Sequence, residues 1–517
     1  MDGQVSLARG LAWSLLLLAL AACARTPAPP PALADAEIEA IRARLAADVA
    51  VLASDEFGGR KPGTPGEART VEFLISEFEA AGLVSGTNDP GSAWRAPVDL
   101  ISTTPQASAV AFEIDGRAVP IAEQDAAAFT TRRRVLLQAG PNLGSELVFV
   151  GREGAELPAE TAAGQILVML GEPGISPRRR AALFAKNPVA IVTVVKDEKA
   201  IADTRAARGL ERVLLASEEE EVRLSAFVTE AAMERVLGKA AWRALERGAD
   251  TRDFVPSTIP ARVTIEATSN RREFTSSNVI GLLPGTNEAA GAVLVLGHWD
   301  HLGQCGDPPD AICNGAVDNA SGIAAMFELA RRLAASGPHE RDIYVLATSA
   351  EESGLLGAKT FAENPPLPLE NIVAAFNFDT VAVAPAGTPV GFVGAGRTPL
   401  DAVVLDLLAE RGRKTGDPDF AASFLRRQDG WALLEKGVPA VLISSAFASR
   451  SVLGPYLSSD YHRPSDEPGG LEYGGAIEDL LLHEDLVRRL ANTAESERAA
   501  EAGPEIADNP RQRAQAP

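Results

Sequence analysis

Apolar residues recur at helical spacing in two early segments of the chain. Residues 36–53 carry Ile38, Ile41, Leu45, Val49 and Leu52 on one face, and Glu67 to Ala81 repeats the theme with Val71, Leu74, Ile75 and Phe78. Between them Phe57-Gly-Gly-Arg-Lys-Pro-Gly-Thr-Pro-Gly reads as a loop by its glycine and proline content. From about 108 to 271 the rhythm changes to short strand-like runs such as Glu146-Leu-Val-Phe-Val-Gly, Gln165-Ile-Leu-Val-Met-Leu and Ala190-Ile-Val-Thr-Val-Val. Beyond it, Ser277-Asn-Val-Ile-Gly-Leu-Leu-Pro-Gly-Thr predicts a strand and turn. Val293-Leu-Val-Leu-Gly, Asp342-Ile-Tyr-Val-Leu-Ala and Ala374-Ala-Phe-Asn-Phe are apolar runs suited to buried strands. Ile323, Phe327, Ala330 and Leu333 pattern an intervening helix, and a last helix lies around Leu480 to Leu490.

Polar residues of a restricted kind stand at the ends of these elements. His298 and Asp300 follow one strand, Glu351 and Glu352 a second, and Asp379 a third; Asp318 opens the helix, and His462 lies in the turn Asp460-Tyr-His-Arg-Pro-Ser-Asp. Each has an ordinary structural explanation: a core histidine, a helix cap, a turn residue or a solvated acid. Together they point to a site, because the chain has only five histidines and ligands of open α/β sheets gather at the carboxyl ends of strands. Adjacent side chains at a strand end diverge, so one carboxylate of the Glu351-Glu352 pair can bind a metal while the other faces substrate.

The ordered set His-x-Asp, Asp in a Gly/Asp/Asn/Ala/Ser/Gly turn, Glu-Glu, Asn-x-Asp and Tyr-His-x-Pro-x-Asp resembles the di-zinc aminopeptidase and glutamate carboxypeptidase family of metallopeptidases, over residues 36–107 and 272–490. The resemblance implies an α/β fold with a mixed, mostly parallel central sheet flanked by helices, interrupted by a β-rich domain similar to the protease-associated domain. It makes Asp318 the bridging carboxylate between two zinc ions (Zn2+), for which Co2+ or Mn2+ could substitute. His298 and Asp379 complete one protein shell, Glu352 and His462 the other. Imidazole and carboxylate ligands suit zinc, and three carboxylates with a bridging hydroxide balance two dications. Glu351 is then the general base and acid that serves the metal-bridging hydroxide. Asp300 accepts a hydrogen bond from the ring of His298, and Tyr461 is either an oxyanion donor or packing beside the ligand turn. Arg60 is either a substrate contact or a solvated turn residue, the plainer reading. His301 is left structural, His339 and His483 as surface or packing residues.

The implied activity is hydrolysis of peptide substrates by a zinc exopeptidase, most simply an aminopeptidase. A carboxypeptidase of the glutamate carboxypeptidase type is the alternative, with Arg426 and Arg427 as candidates for a substrate carboxylate. A glutaminyl cyclase and an inactive binding module are more distant readings. Two departures alter the pocket wall: Asp379 is followed by Thr380-Val-Ala-Val, where many relatives carry methionine and glycine nearby, and Gly430 stands where many carry histidine.

The remaining composition concerns location. Leu11 to Ala22 suits a signal-peptide core, and Leu20-Ala-Ala-Cys23 resembles a bacterial lipoprotein box. Residues 1–22 are thus expected to be a signal peptide, and 23–35 a lipidated Cys23 with a proline-rich tether. That arrangement gives membrane attachment in the bacterial cell envelope, facing the periplasm; ordinary secretion is the alternative. The peptidase occupies 36–107 and 272–495, the insert 108–271, and a disordered tail 496–517. Of three cysteines, Cys305 and Cys313 remain as a candidate disulfide at the rim of the site. A net charge of −21 disfavours nucleic acid as a partner.

Overall fold

The computed structural model describes residues 33–152, 157–171, 182–217 and 224–493. The expected signal peptide, Cys23 and most of the tether lie outside the described residues, as does the tail from residue 494. The helix Asp35–Leu52 buries Ile41, Leu45, Val49 and Leu52, and Pro65–Ala80 buries Val71, Leu74 and Phe78. Proline at the start of the second helix gives up no intrahelical bond there.

An eleven-stranded sheet runs in the order Gly391–Val393, Ala440–Ser444, Ile372–Asn377, Ala292–His298, Asp342–Thr348, Arg262–Leu283, Arg95–Ile114 and Arg117–Pro120, with three further strands on its long members. Parallel pairing is confined to the four strands from Ala440–Ser444 to Asp342–Thr348; the pairs flanking them are antiparallel. The interiors of those strands are apolar because both faces are covered. Val293, Val295, Ile343 and Val345 enter one core with the helices Asp35–Leu52, Pro65–Ala80, Gly322–Ser336 and Gly474–Leu490. Leu294, Leu296, Tyr344 and Leu346 point the other way, towards Phe361 and Leu433, as the two-residue repeat of a strand requires.

A second core, built around Phe149 and Trp242, is served by a six-stranded sheet that includes Leu147–Arg152, Ile166–Leu170 and Ala190–Val195. It spans Val110 to Ala267. Its borders differ in kind from those the sequence suggests. Positions 107/108 and 271/272 fall inside the strands Arg95–Ile114 and Arg262–Leu283, which pair from Arg95 opposite Val279 to Glu113 opposite Arg262 with one irregularity at Ala267/Ser269. Main-chain bonds carry this ribbon through the polar stretch Ser102-Thr103-Thr104, where the apolar pattern breaks off. Among the described residues no helix is long and apolar enough to cross a membrane.

Candidate metal centre

The register of the parallel strands brings the site together. His298 pairs opposite Thr348 and Leu296 opposite Asn377, so Asp300, Glu351 and Asp379 all follow the carboxyl ends of neighbouring strands. The chain turns at Ala350, whose φ of 54° lies in the region a residue with a Cβ seldom adopts, and this turn delivers Glu351 and Glu352 towards the cleft. Asp318 does not cap the helix as its sequence position suggests. The helix begins at Gly322, and Asp318, at φ −110° and ψ 97°, sits in the preceding irregular turn with 4% exposure. Asn319 pins that turn, donating to the carbonyls of His298 at 3.2 Å and Phe378 at 2.9 Å.

Asp318 is the centre of the cluster. Its Oδ1 is 3.3 Å from His298 Nε2, which is 3.7 Å from Asp379 Oδ1. Its Oδ2 is 3.3 Å from His462 Nε2, which is 3.0 Å from Glu352 Oε2. Two donors each about 2.0–2.2 Å from a tetrahedral zinc lie roughly 3.3–3.6 Å apart. The observed spacings are those of atoms gathered round a cation. Several are also left without hydrogen bonds although buried: His462 Nε2, Glu352 Oε1 and both ring nitrogens of His301. Buried polar atoms in this state call for a partner, and the donor chemistry fits zinc.

His301, read from the sequence as structural, also stands beside the cluster. It is 1% exposed, and its Nδ1 lies 2.6 Å from Glu352 Oε1. Two groups therefore converge, His298 with Asp318 and Asp379, and His301 with Asp318 and Glu352, with His462 facing the second from the cleft side. The adjacency His-x-Asp-His was the available signal.

Asp300 also differs. The ring Nδ1 of His298 lies 3.2 Å from the main-chain carbonyl of Asp300 and 3.9 Å from its carboxylate. The carboxylate instead accepts the N–H of Glu351 at 3.0 Å. Arg60 neither touches solvent nor lines the cleft: it is 1% exposed at φ 50° and donates to main-chain carbonyls. Gly59 before it has φ 65°, and a Cβ there would collide with the carbonyl of Cys313. Cys305 and Cys313 are joined as a disulfide, Cα–Cα 5.7 Å, across the strands that carry this rim.

Other supports had no sequence signal beyond their proximity to motifs. Thr380 Oγ1 donates to Asp379 Oδ1 at 2.7 Å. Asp466 accepts the N–H groups of Val317 and Asp318 and the hydroxyl of Tyr456. Buried Asp429 accepts from the hydroxyl of Thr348. His339 and His483 are both buried rather than superficial, His483 against the rings of Phe376 and Phe378.

The electrostatics are those of an acidic cluster. Burial pushes the Glu351 carboxyl well above the usual range; the neighbouring Glu352, Asp429 and Asp379 add to this, and His298 opposes it. Burial, aided by Glu352 and Asp429, pushes Asp300 up to about 7. Burial alone would lower His462, yet the carboxylates of Asp318 and Glu352 beside its ring hold it up at about 10. Such a cluster draws cations.

A cavity opens beside it, lined by Glu351, Asp379, Thr380, Arg427, Tyr461 and the apolar side chains Phe424, Leu442, Phe447, Leu453 and Leu457. Tyr461 stacks on His462 with ring centroids 3.8 Å apart, and its hydroxyl accepts from Arg427 at 3.3 Å. It thus both packs on the turn and faces the cavity.

Over 124 residues the chain is 33% identical to Aminopeptidase YwaD of Bacillus subtilis, covering 23% of this chain and 25% of that one. It is 28% identical over 197 residues to Probable glutamate carboxypeptidase VP8 of Zea mays, covering 37% and 24%. With the Vacuolar membrane protease of Schizosaccharomyces japonicus it shares 35% identity over 97 residues, 19% of this chain and 10% of that one. The chain therefore spans a quarter or less of these curated relatives. Its fold matches that of an aminopeptidase from Aneurinibacillus sp. strain AM-1 with a TM-score of 0.50 at 17% identity, covering 90% of this chain and 96% of that one. Residues 278–478, which hold every element of the cluster, match the model of Peptidase family M28.

Proposed function

We propose that the chain is a zinc-dependent exopeptidase, and specifically an aminopeptidase that releases N-terminal residues from peptides. The observation that supports this most is the placement of two donor groups on either side of one carboxylate, Asp318, with Glu351 on the cavity beside them. In this reading His298, Asp318 and Asp379 hold one ion, and Asp318, Glu352 and His462, with His301, hold a second. Zinc supplies Lewis acidity to the scissile carbonyl and to water. Glu351, on the cavity wall, takes the proton of the attacking water on its carboxylate and returns it to the leaving amine. Tyr461 presents a phenol to the cavity as an oxyanion donor. The wall of Phe424, Phe447, Leu453 and Leu457 receives an apolar side chain and excludes water.

Carboxypeptidase action is the second reading, favoured by the guanidinium of Arg427 on the same cavity. Delivery to the cell envelope through Cys23 belongs to the proposal too and is supported by the box Leu20-Ala-Ala-Cys23.

The test is zinc content together with hydrolysis of amino-acid p-nitroanilides, amino-blocked dipeptides and carboxyl-blocked dipeptides. Bound zinc with cleavage that requires a free amine is the expected result. Cleavage of amino-blocked dipeptides alone would move the assignment to carboxypeptidase. A single zinc with ammonia release from N-terminal glutamine would make it a cyclase.

A further inference from the structure

The guanidinium of Arg60 is buried beneath the carboxylate cluster, yet among the described residues its hydrogen bonds go to main-chain carbonyls. Nε donates to Trp299 at 2.8 Å, Nη1 to Leu52 at 2.9 Å and Asn314 at 2.5 Å, and Nη2 to Gly315 at 2.9 Å. Trp299 lies between His298 and Asp300, and Gly315 lies three residues before Asp318. The planar fork thus ties the end of one strand to the turn that carries the central carboxylate. From the other side Asp466 accepts the N–H of Val317 at 2.9 Å and of Asp318 at 3.2 Å. The main chain around Asp318 is held between a cation and an anion, neither of them on the cavity wall.

Burying a guanidinium costs several kcal/mol unless its donors are satisfied. Here five carbonyls do so, the fifth being that of Asp318 itself at 3.5 Å from Nη2, in directions that a rigid planar group matches. A lysine would keep the charge but not the fork. Leu52 belongs to the helix Asp35–Leu52, so the clamp also fastens the first segment of the chain to the site built by residues 278–478.

We infer that Arg60 is a positioning residue, which sets the separation of His298 and Asp318 and thereby the affinity and coordination of the ion they share, without touching ion or substrate. The inference rests on the zinc reading above. It is tested on the whole protein with Arg60→Lys and Arg60→Gln by competition titration of zinc against a chelator. The visible absorption of the cobalt form, thermal melting with and without zinc, and KM against kcat complete the comparison.

The expected result is binding of one ion weakened about 10-fold or more in both variants. The cobalt band changes, the zinc-induced rise in melting temperature shrinks, and kcat falls with KM held. An unaltered titration and cobalt spectrum, with only a lower melting temperature for the metal-free protein, would reduce Arg60 to a fold-stabilising residue and overturn the inference. A raised KM with unaltered titration would make it a substrate contact and overturn it equally. Should Arg60→Gln not fold, Arg60→Lys decides. A wild-type protein that binds no zinc would defeat the zinc reading itself, and the inference with it.

Discussion

The main-chain N–H of Glu351 donates to Oδ1 of Asp300 at 3.0 Å, so the turn carrying both glutamates is fastened to the end of the neighbouring strand. Asp300 therefore acts on Glu351 more directly than on the ring of His298, whose Nδ1 faces a main-chain carbonyl.

Removing that acceptor should loosen Glu351 while leaving the metal donors intact. Asp300→Ala is expected to lower kcat about 10–100-fold with zinc content unchanged, and Asp300→Asn, which keeps an oxygen for the bond, to lose less. Steady-state kinetics with metal analysis on the same samples decides the matter. Equal losses in the two variants would remove the hydrogen bond as the cause.

His301 should behave as part of the second donor group. Its Nδ1 is 2.6 Å from Glu352 Oε1 and its ring is 5.6 Å from that of His462, centroid to centroid. His301→Ala is expected to weaken the second ion about 10–100-fold and leave the first unchanged. A zinc titration identical to wild type would return His301 to a packing role.

Why the closeness of His301 to the cluster was not legible, while that of the other candidate donors was, is physical. His298, Glu351, Glu352 and Asp379 follow apolar runs that can only be buried strands, and parallel strands of one sheet end at one edge. The position of His301 depends on how the chain turns after His298, which periodicity does not encode. The same holds for Arg60: a glycine-rich loop reads as exposed, yet its φ of 50° and five carbonyl partners are properties of a tertiary enclosure. The helix face of Ile41, Leu45, Val49 and Leu52 was legible because burial follows the 3.6-residue repeat. The ribbon between the two cores was not, since pairing between strands leaves no mark in composition.

His483 predicts an acid-side loss of stability unconnected with the metals. Burial lowers it to about 4, with its Nδ1 donating to the carbonyl of Asp479 at 2.7 Å, so the folded protein holds it neutral. The unfolded chain, with a histidine near 6.5, binds more protons between the two values. Stability is therefore full above about pH 6.5 and declines as pH falls towards 4, by on the order of 3 kcal/mol from this group. His483→Gln keeps a donor without the titration and should flatten the slope of unfolding free energy against pH in that window. An unchanged slope would assign the acid loss elsewhere.

The most direct test of the account is the pair Glu351→Gln and Glu352→Gln, measured for zinc stoichiometry and kcat in the same preparations. Glu352 lies 3.0 Å from His462 Nε2 and 2.6 Å from His301 Nδ1, whereas Glu351 faces the cavity. The predicted result is that Glu351→Gln keeps the wild-type zinc content and loses about 100- to 10,000-fold in kcat, while Glu352→Gln loses zinc. Loss of zinc in Glu351→Gln, or near-normal turnover in it, would contradict the division of work between the two glutamates.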